Sequence, residues 1–333
     1  MGDDGLYIKD KKIILELDND ARQSNSQIAK KVGLTKQVVN YRLNKLVKEG
    51  VIKSFRTIIN AEMLGFNYHD IFIKRQNFSK QKEKEFTDYI KNCDFVSWFV
   101  ESSGQYDYII AIFSKNLIQF NNYLSEILAK FEDFIADYEI LTIIEAYKLK
   151  YKYLTDEHLE FPKPVYAGKI EEEKPETDVN REDLQILNLL DQDARMPITE
   201  IASKTALTPS IISYRIKKMK QAGIIQGFRT ILDVSKMGYQ WHVILFKLNP
   251  LSPIKIKQLI TYLRDHKHCV YIVQGISSWN LMTDFHIKEA TELDNILEDI
   301  RSKYGDLIKA YTTLRIPNVY KSIFFPKLAL TVR

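Results

Sequence analysis

Displaced by 173 residues, this 333-residue chain reads over itself. Asp18-Asn19-Asp20-Ala21-Arg22 falls on Asp191-Gln192-Asp193-Ala194-Arg195, and Phe55-Arg56-Thr57-Ile58 falls on Phe228-Arg229-Thr230-Ile231. Between residues 10 and 74, 25 of 65 positions are identical without a gap. Farther on identity fades, but residue character holds the same offset: Trp98 meets Tyr271, Tyr106 meets Trp279, Ile127 meets Ile300, Tyr138 meets Tyr311 and Tyr147 meets Tyr320. Any fold adopted by one copy must suit the other, so the chain is two like units of roughly 140–150 residues. Residues 151–180 between them hold Pro162, Pro164, Pro175 and Glu171-Glu172-Glu173-Lys174, the composition of a linker. Tyr151, Tyr153, Phe161, Val165 and Tyr166 suggest that its first half docks on a unit.

Each unit opens with three helical patterns. Ile13, Ile14, Leu17 and Ala21 recur at helical spacing and predict a helix near 9–19. Ser26 is the expected N-cap of a second helix over Gln27–Val32, and Gly33 suits the tight turn that follows. Thr35 caps a third helix, Lys36–Glu49, which buries Val39, Leu43 and Leu46 and stops at Gly50. Val51–Ile59 is short and β-prone, the expected wing. The second unit repeats the order, with helices near Asp183–Leu190 and Thr199–Ser203, then Thr208 as N-cap and Pro209 at the first helical position. Helix, short helix, turn, basic helix and β-wing describe a winged helix-turn-helix.

The polar face of the third helix points to nucleic acid. Recognition needs long cations for phosphates, and amides or hydroxyls for base edges. Thr35, Lys36, Gln37, Asn40, Tyr41, Arg42, Asn44 and Lys45 supply both in the first unit, joined by Lys53 and Arg56 of the wing. Their counterparts are Thr208, Ser210, Ser213, Tyr214, Arg215, Lys217, Lys218 and Arg229. Charge is segregated accordingly. Residues 9–56 carry twelve Lys/Arg against five Asp/Glu, and residues 156–178 carry eight acids against three Lys.

The remainder of each unit alternates between strand and helix patterns: strand Tyr68–Arg75, helix Gln81–Lys91, strands Val96–Glu101 and Tyr106–Phe113, helix Leu117–Lys130 and strand Asp137–Glu145. That order, βαββαβ, predicts a ferredoxin-like antiparallel sheet with both helices on one face. The other face is apolar too, and pairing with the second copy would cover it. The predicted fold class is therefore α+β: two repeats, each a winged helix-turn-helix domain followed by a ferredoxin-like domain. The expected boundaries are 1–60, 61–150, a linker over 151–180, 181–233 and 234–333.

Composition narrows the classes. No apolar run approaches the ~20 residues of a membrane span, and the first ten residues lack a signal-peptide layout. A cytoplasmic location is expected. Cys93 and Cys269 stand apart from any CxxC pair, which argues against a disulfide framework or a zinc site and for buried thiols. No metal or cofactor is expected.

LDNDAR at 17–22, IAKKVGLTKQVVNYRLNKLVKEGVI at 28–52 and GQYDYIIAIF at 104–113 resemble the Lrp/AsnC, or feast/famine, family of transcription regulators. The resemblance covers nearly all of both units. It implies double-stranded DNA as partner, pairing through the sheets, further self-assembly, and a small effector such as an amino acid near the Gly-x-Tyr-Asp turn. On that resemblance Gly104, Tyr106 and Asp107 are candidate effector residues; Ser277 and Asn280 depart from the pattern in the second unit. Siroheme decarboxylases are similar in architecture and also occur as fused pairs. They are expected to carry a His-Asn-Tyr stretch in a region that here reads Val96-Ser97-Trp98-Phe99-Val100 and Val270-Tyr271-Ile272-Val273. The chain is accordingly read as a regulator and not an enzyme, the other alternative being a ligand-sensing module that no longer binds DNA. His69 and His242, which coincide in the repeat, are read as structural.

Overall fold

A computed structural model describes residues 6–156, 165–169, 179–249 and 253–331. The first unit runs α1 (Ile8–Asn19), α2 (Asn25–Val32), α3 (Lys36–Lys48), β1 (Ile52–Ile59), β2 (Asn67–Arg75), α4 (Lys80–Asn92), β3 (Val96–Ser103), β4 (Tyr108–Ser114), α5 (Leu117–Lys130) and β5 (Ile135–Lys148). A short strand β6 (Val165–Lys169) follows. The second unit runs α6 (Arg181–Gln192), α7 (Ile198–Thr205), α8 (Pro209–Gln221), β7 (Ile225–Leu232), β8 (Gln240–Leu248), α9 (Pro253–Asp265), β9 (Cys269–Ile276), β10 (Leu281–Ile287), α10 (Ala290–Tyr304) and β11 (Ile308–Ser322).

Local chemistry sets the helix ends. Thr35 accepts from the Val38 amide at 3.3 Å, and Thr208 does the same for Ile211 with Pro209 at the first position. Gly33 sits at φ +66°, as the tight turn requires. The cap of α2 is Ser24, not Ser26. Ser24 and Gln27 satisfy each other's backbone N–H groups, a reciprocal box that Ser26 has no partner to match, so the helix starts earlier than expected.

The two ferredoxin-like sheets do not merely stack; they close on each other. Antiparallel pairing runs β4–β2–β5–β9–β10–β8–β11–β3 and back to β4, an eight-stranded ring. The two long strands make the closure. β5 pairs with β2 over Ile135–Thr142 and with β9 over Thr142–Lys148. β11 pairs with β8 over Ile308–Ile316 and with β3 over Arg315–Ser322. Helices α4 and α5 cover the barrel from the first unit around Phe86, Phe120 and Ile127, while α9 and α10 cover it from the second around Leu259, Leu263 and Ile300. The apolar inner faces are thereby buried without another chain. Cys93 and Cys269 are buried free thiols.

The two helical heads are exchanged. Leu17, Val39 and Leu46 of the first head pack with Leu232, Met237 and Tyr239 of the second unit, while Ile186, Leu190 and Met219 of the second head share a core with Ile58, Ile59 and Phe66 of the first. The strands expected as wings perform this crossing. A lone strand after α3 has no hairpin partner in its own head, so β1 pairs with β7. In that ladder Arg56 lies opposite Arg229, its own repeat equivalent, with Phe55 opposite Thr230 and Thr57 opposite Phe228. A pseudo-twofold axis therefore passes between Arg56 and Arg229. Tyr151, Tyr153 and Leu154 dock into the base of the first head, as the apolar residues after β5 suggest. Val165 and Tyr166 fall in β6, which pairs with β5; Phe161 lies outside the described residues.

Candidate nucleic-acid interface

α3 buries Val39, Leu43 and Leu46 and turns its other face outward. Thr35, Lys36, Gln37, Asn40, Tyr41, Asn44 and Lys45 are all exposed on it, and Lys53 is exposed at the start of β1. α8 does the same with Ile212, Ile216 and Met219 inward, and Thr208, Ser210, Ser213, Tyr214, Lys217 and Lys218 outward. Tyr41 and Tyr214 occupy equivalent places and are about 70% exposed (70% and 68%), so neither is held by core packing. Asn40 accepts from Asn25 at 3.1 Å, which sets its amide orientation at the helix start. Ser213 donates to the Pro209 carbonyl, leaving its oxygen free to accept.

Four expected DNA contacts are placed otherwise. Arg229 is 1% exposed, donates from Nε and Nη2 to both oxygens of Asp18 at 2.8 and 2.9 Å, and also meets the Leu149 carbonyl. Arg56 donates to the Asp191 carbonyl and lies 3.9 Å from its carboxylate. Arg42 pairs with Asp10 of α1 at 2.9 Å, and Arg215 pairs with Asp183 of α6 at 3.0 Å and with Glu182. Each guanidinium is drawn inward because a buried or half-buried acid would otherwise lack a partner. Arg42 and Arg215 pin the recognition helix to the first helix of the head; Arg56 and Arg229 pin the crossing.

The Asp-x-Asp-Ala-Arg motif belongs to the same crossing. Asp18 and Asp191 receive the arginine of the opposite copy. Asp20 and Asp193 accept from the backbone N–H of Arg22 and Arg195 and shape the turn. Arg22 then donates to the carbonyls of Ala194 and Met196, and Arg195 to those of Ala21 and Gln23. The signal was present in the sequence: both copies keep the aspartate and the Phe-Arg-Thr-Ile arginine together. Local pattern alone does not tell which copy each arginine serves.

At the expected effector turn, Gly104 has φ +145°, and a Cβ there would sit 2.7 Å from the Thr313 carbonyl of β11, so the residue allows the sheets to touch. Tyr106 donates to Glu139 at 2.7 Å and accepts from Trp279 at 3.0 Å, while Glu139 also receives Ser277 and Ser278. Asp107 meets the Arg75 amide at 2.8 Å and its Nε at 3.2 Å. The Tyr106 hydroxyl is thus engaged at the seam between the units, and the Asp107 carboxylate within its own unit. His69 stacks on Phe120 and meets Thr142, and burial lowers its pKa to about 4, as suits a structural ring. No helix among the described residues is long and apolar enough to cross a membrane.

Comparison with known proteins agrees with these heads. A winged helix-turn-helix DNA-binding family model matches residues 8–53 and 180–226. The HTH-type transcriptional regulator FL11 of Pyrococcus horikoshii is 34% identical over 123 residues, 37% of this chain and 80% of that protein. The regulatory protein AsnC of Haemophilus influenzae is 44% identical over 57 residues, 17% of this chain and 38% of that protein. Over the whole length the fold resembles the siroheme decarboxylase NirDL, with a TM-score of 0.62 and 15% identity across 96% of this chain and 97% of that one. The chain belongs to the Lrp/AsnC family of DNA-binding transcription regulators and carries the family's unit twice.

Proposed function

We propose that the two heads read the two halves of one DNA site and that those halves differ. The observation that carries this is the pseudo-twofold axis between Arg56 and Arg229, which presents two recognition helices with unlike leading residues: Lys36, Gln37 and Asn40 against Pro209, Ser210 and Ser213. The first helix offers amides, whose paired donor and acceptor suit adenine, together with a cation. The second offers short hydroxyls and, farther along, Lys217 and Lys218 for phosphates. On this reading the specificity residues are Gln37, Asn40, Ser210 and Ser213, and the phosphate contacts are Lys36, Lys45, Lys53, Lys217 and Lys218, with Tyr41, Asn44, Tyr214 and the cap hydroxyls of Thr35 and Thr208 beside them. A gel-shift titration over salt tests it. Neutralising ~6–10 phosphates weakens binding by about 10³–10⁵-fold between roughly 50 and 200 mM salt, whereas a module that has lost DNA binding shows a flat response.

We further read the chain as acting without catalysis. One observation favours the alternative of a siroheme decarboxylase-like enzyme: a cavity of about 740 Å³ beneath the heads, in a chain whose architecture NirDL shares from end to end. One NirDL structure is a complex with an iron-uroporphyrin III analogue. Mixing this protein with siroheme separates the readings. Ours expects no absorbance shift and no loss of carboxyl groups by mass; the enzyme reading expects both.

A further inference from the structure

The barrel interior ends in that cavity. Lys53 and Ser54 of β1 and Ile231 and Leu232 of β7 roof it, so its lid is the ladder that joins the heads. Three carboxyls line it: Asp233 is half-buried, and the other two are buried. Asp70 on β2 is 2% exposed and Asp284 on β10 is 3% exposed. Asp284 Oδ2 accepts from the Trp241 indole at 3.1 Å, its Oδ1 has no partner, and no described residue donates to Asp70. The buried Tyr68 hydroxyl, also on the lining, is likewise without a partner. Unpaired buried polar atoms cost folding free energy and are few in native proteins. The repeat does not dictate them either: Asp70 is matched by Val243, and Asp284 by Ala111, although Asp70 faces Ala111 and Asp284 faces Val243 in register. Each unit thus brings one acid to the same rung on a different strand.

The walls complete the recognition chemistry. Trp98 and Trp241 stand 5.9 Å apart, and Tyr68 and Tyr271 add ring surface. Ile143, Val273 and Met282 make an apolar side. Aromatic faces around carboxylates bind an ammonium group, and about 740 Å³ lies within the ~300–1,000 Å³ of small-molecule sites. Five cations also line it: Arg56 and Lys321 are held by the carbonyls of Asp191 and Cys93, and Lys53, Lys148 and Arg315 repel a ligand of several positive charges.

We propose that this cavity is an effector site for an organic monoamine, its ammonium between Asp70 and Asp284 and its apolar body against Trp98 and Trp241. Protonation agrees with this geometry. Burial, with repulsion from Asp284, raises Asp70 to about 8, and burial raises Asp284 to about 7. The other titratable groups facing the pair are Lys148, lowered to about 8 chiefly by burial, and Tyr68, Tyr271 and His286, which burial holds neutral. Near neutrality Asp70 therefore carries a proton that an arriving ammonium displaces.

The test uses the full chain and 4-phenylbutylamine, with 4-phenylbutanol and 5-phenylpentanoate as neutral and anionic matches. Calorimetry in two buffers of different ionisation heat reads affinity and proton release, and tryptophan fluorescence in a Trp279→Phe background, which leaves Trp98 and Trp241, reports occupancy. The amine is expected to bind with proton release and to outbind both matches, and Asp70→Asn and Asp284→Asn each to weaken it on the order of tenfold or more. Ala111→Leu, which fills the lining opposite Asp70, is expected to abolish binding and leave basal DNA affinity unchanged. The amine is expected to shift DNA affinity in the wild type and not in Ala111→Leu. Preference for the anion, undiminished binding by the aspartate variants, or silence of the amine overturns the site. Binding without a DNA shift overturns its effector role. Siroheme quenching the tryptophans while the amine stays silent overturns the proposal in favour of the enzyme reading.

Discussion

The two crossings between the units use one motif and reach different electrostatic states. At the first, the Asp18 carboxyl is wholly buried, and burial alone would raise its pKa; Arg229 and Lys150 overcome that and hold it below the usual carboxylate value. At the second, Asp191 is almost as buried, but Arg56 stands 3.9 Å away, and burial prevails, raising its pKa to about 6. The backbone contacts are equivalent, Tyr151 N–H to Asp18 and Phe324 N–H to Asp191. The side chain one residue earlier is not. Lys150 donates to the Asp18 carbonyl, and its counterpart is Ile323. Duplication within one chain let the crossings diverge, the first a charged clamp and the second a carbonyl contact beside a weaker ion pair.

Variants can break this comparison. Arg229→Ala leaves Asp18 buried without its main partner and should cost about 3–5 kcal/mol in urea unfolding, whereas Arg56→Ala should cost only about 1–2. Equal losses would show that the crossings are alike. The pH dependence runs in opposite directions. A lowered carboxyl such as Asp18 contributes stability that is present above its unfolded pKa and lost as pH falls through the folded one. A raised carboxyl such as Asp191 binds its proton more tightly when folded, so stability falls as pH rises from the unfolded value of 3.8 toward about 6.

The recognition helices extend the comparison to DNA. Gln37→Ala or Asn40→Ala should relax one half-site by about 1–3 kcal/mol for each lost bidentate base contact. Ser210→Ala and Ser213→Ala should change the other half-site less, by about 1 kcal/mol, since a hydroxyl makes single bonds. Competition binding with single-base variants measures both. If the two pairs act at the same bases, the heads do not divide the site.

In the barrel, Asp70→Asn should stabilise the protein by about 1–3 kcal/mol at pH 8 and by little at pH 4. The sign follows from a folded pKa raised from 3.8 to about 8: the charged form is the disfavoured one, and its cost grows with pH through that window. A gain independent of pH would mean the carboxyl is not ionising there. The smallest effect is expected at the helix turns. Gly33 occupies the left-handed region at φ +66°, and its counterpart Ala206 is held there at φ +55°. Ala206→Gly should therefore raise stability by about 0.5–1 kcal/mol in thermal unfolding, while Gly33→Ala lowers it by a similar amount.

Much of this was legible in the chain itself. The repeat shows as a self-match at 173 residues, and the capped helices with glycine turns and the βαββαβ order are short-range patterns that periodicity exposes. The placement of Arg42, Arg56, Arg215 and Arg229 was not, because a cation's sequence neighbours do not reveal which acid will claim it. Asp10 is 32 residues from Arg42, and Asp18 is 211 from Arg229. Asp70 was hidden for the opposite reason, as the lone acid of its strand, meaningful only beside an acid from the other unit. Ser24 and Ser26 differ only in whether a glutamine stands three residues on.

Selection of binding sites from a random duplex pool tests the central claim most directly. Two unlike heads on one pseudo-twofold axis predict an enriched site of two unequal halves, with the half lost on mutating Gln37 distinct from that lost on mutating Ser210. A perfect palindrome, or a pool without enrichment, would contradict it.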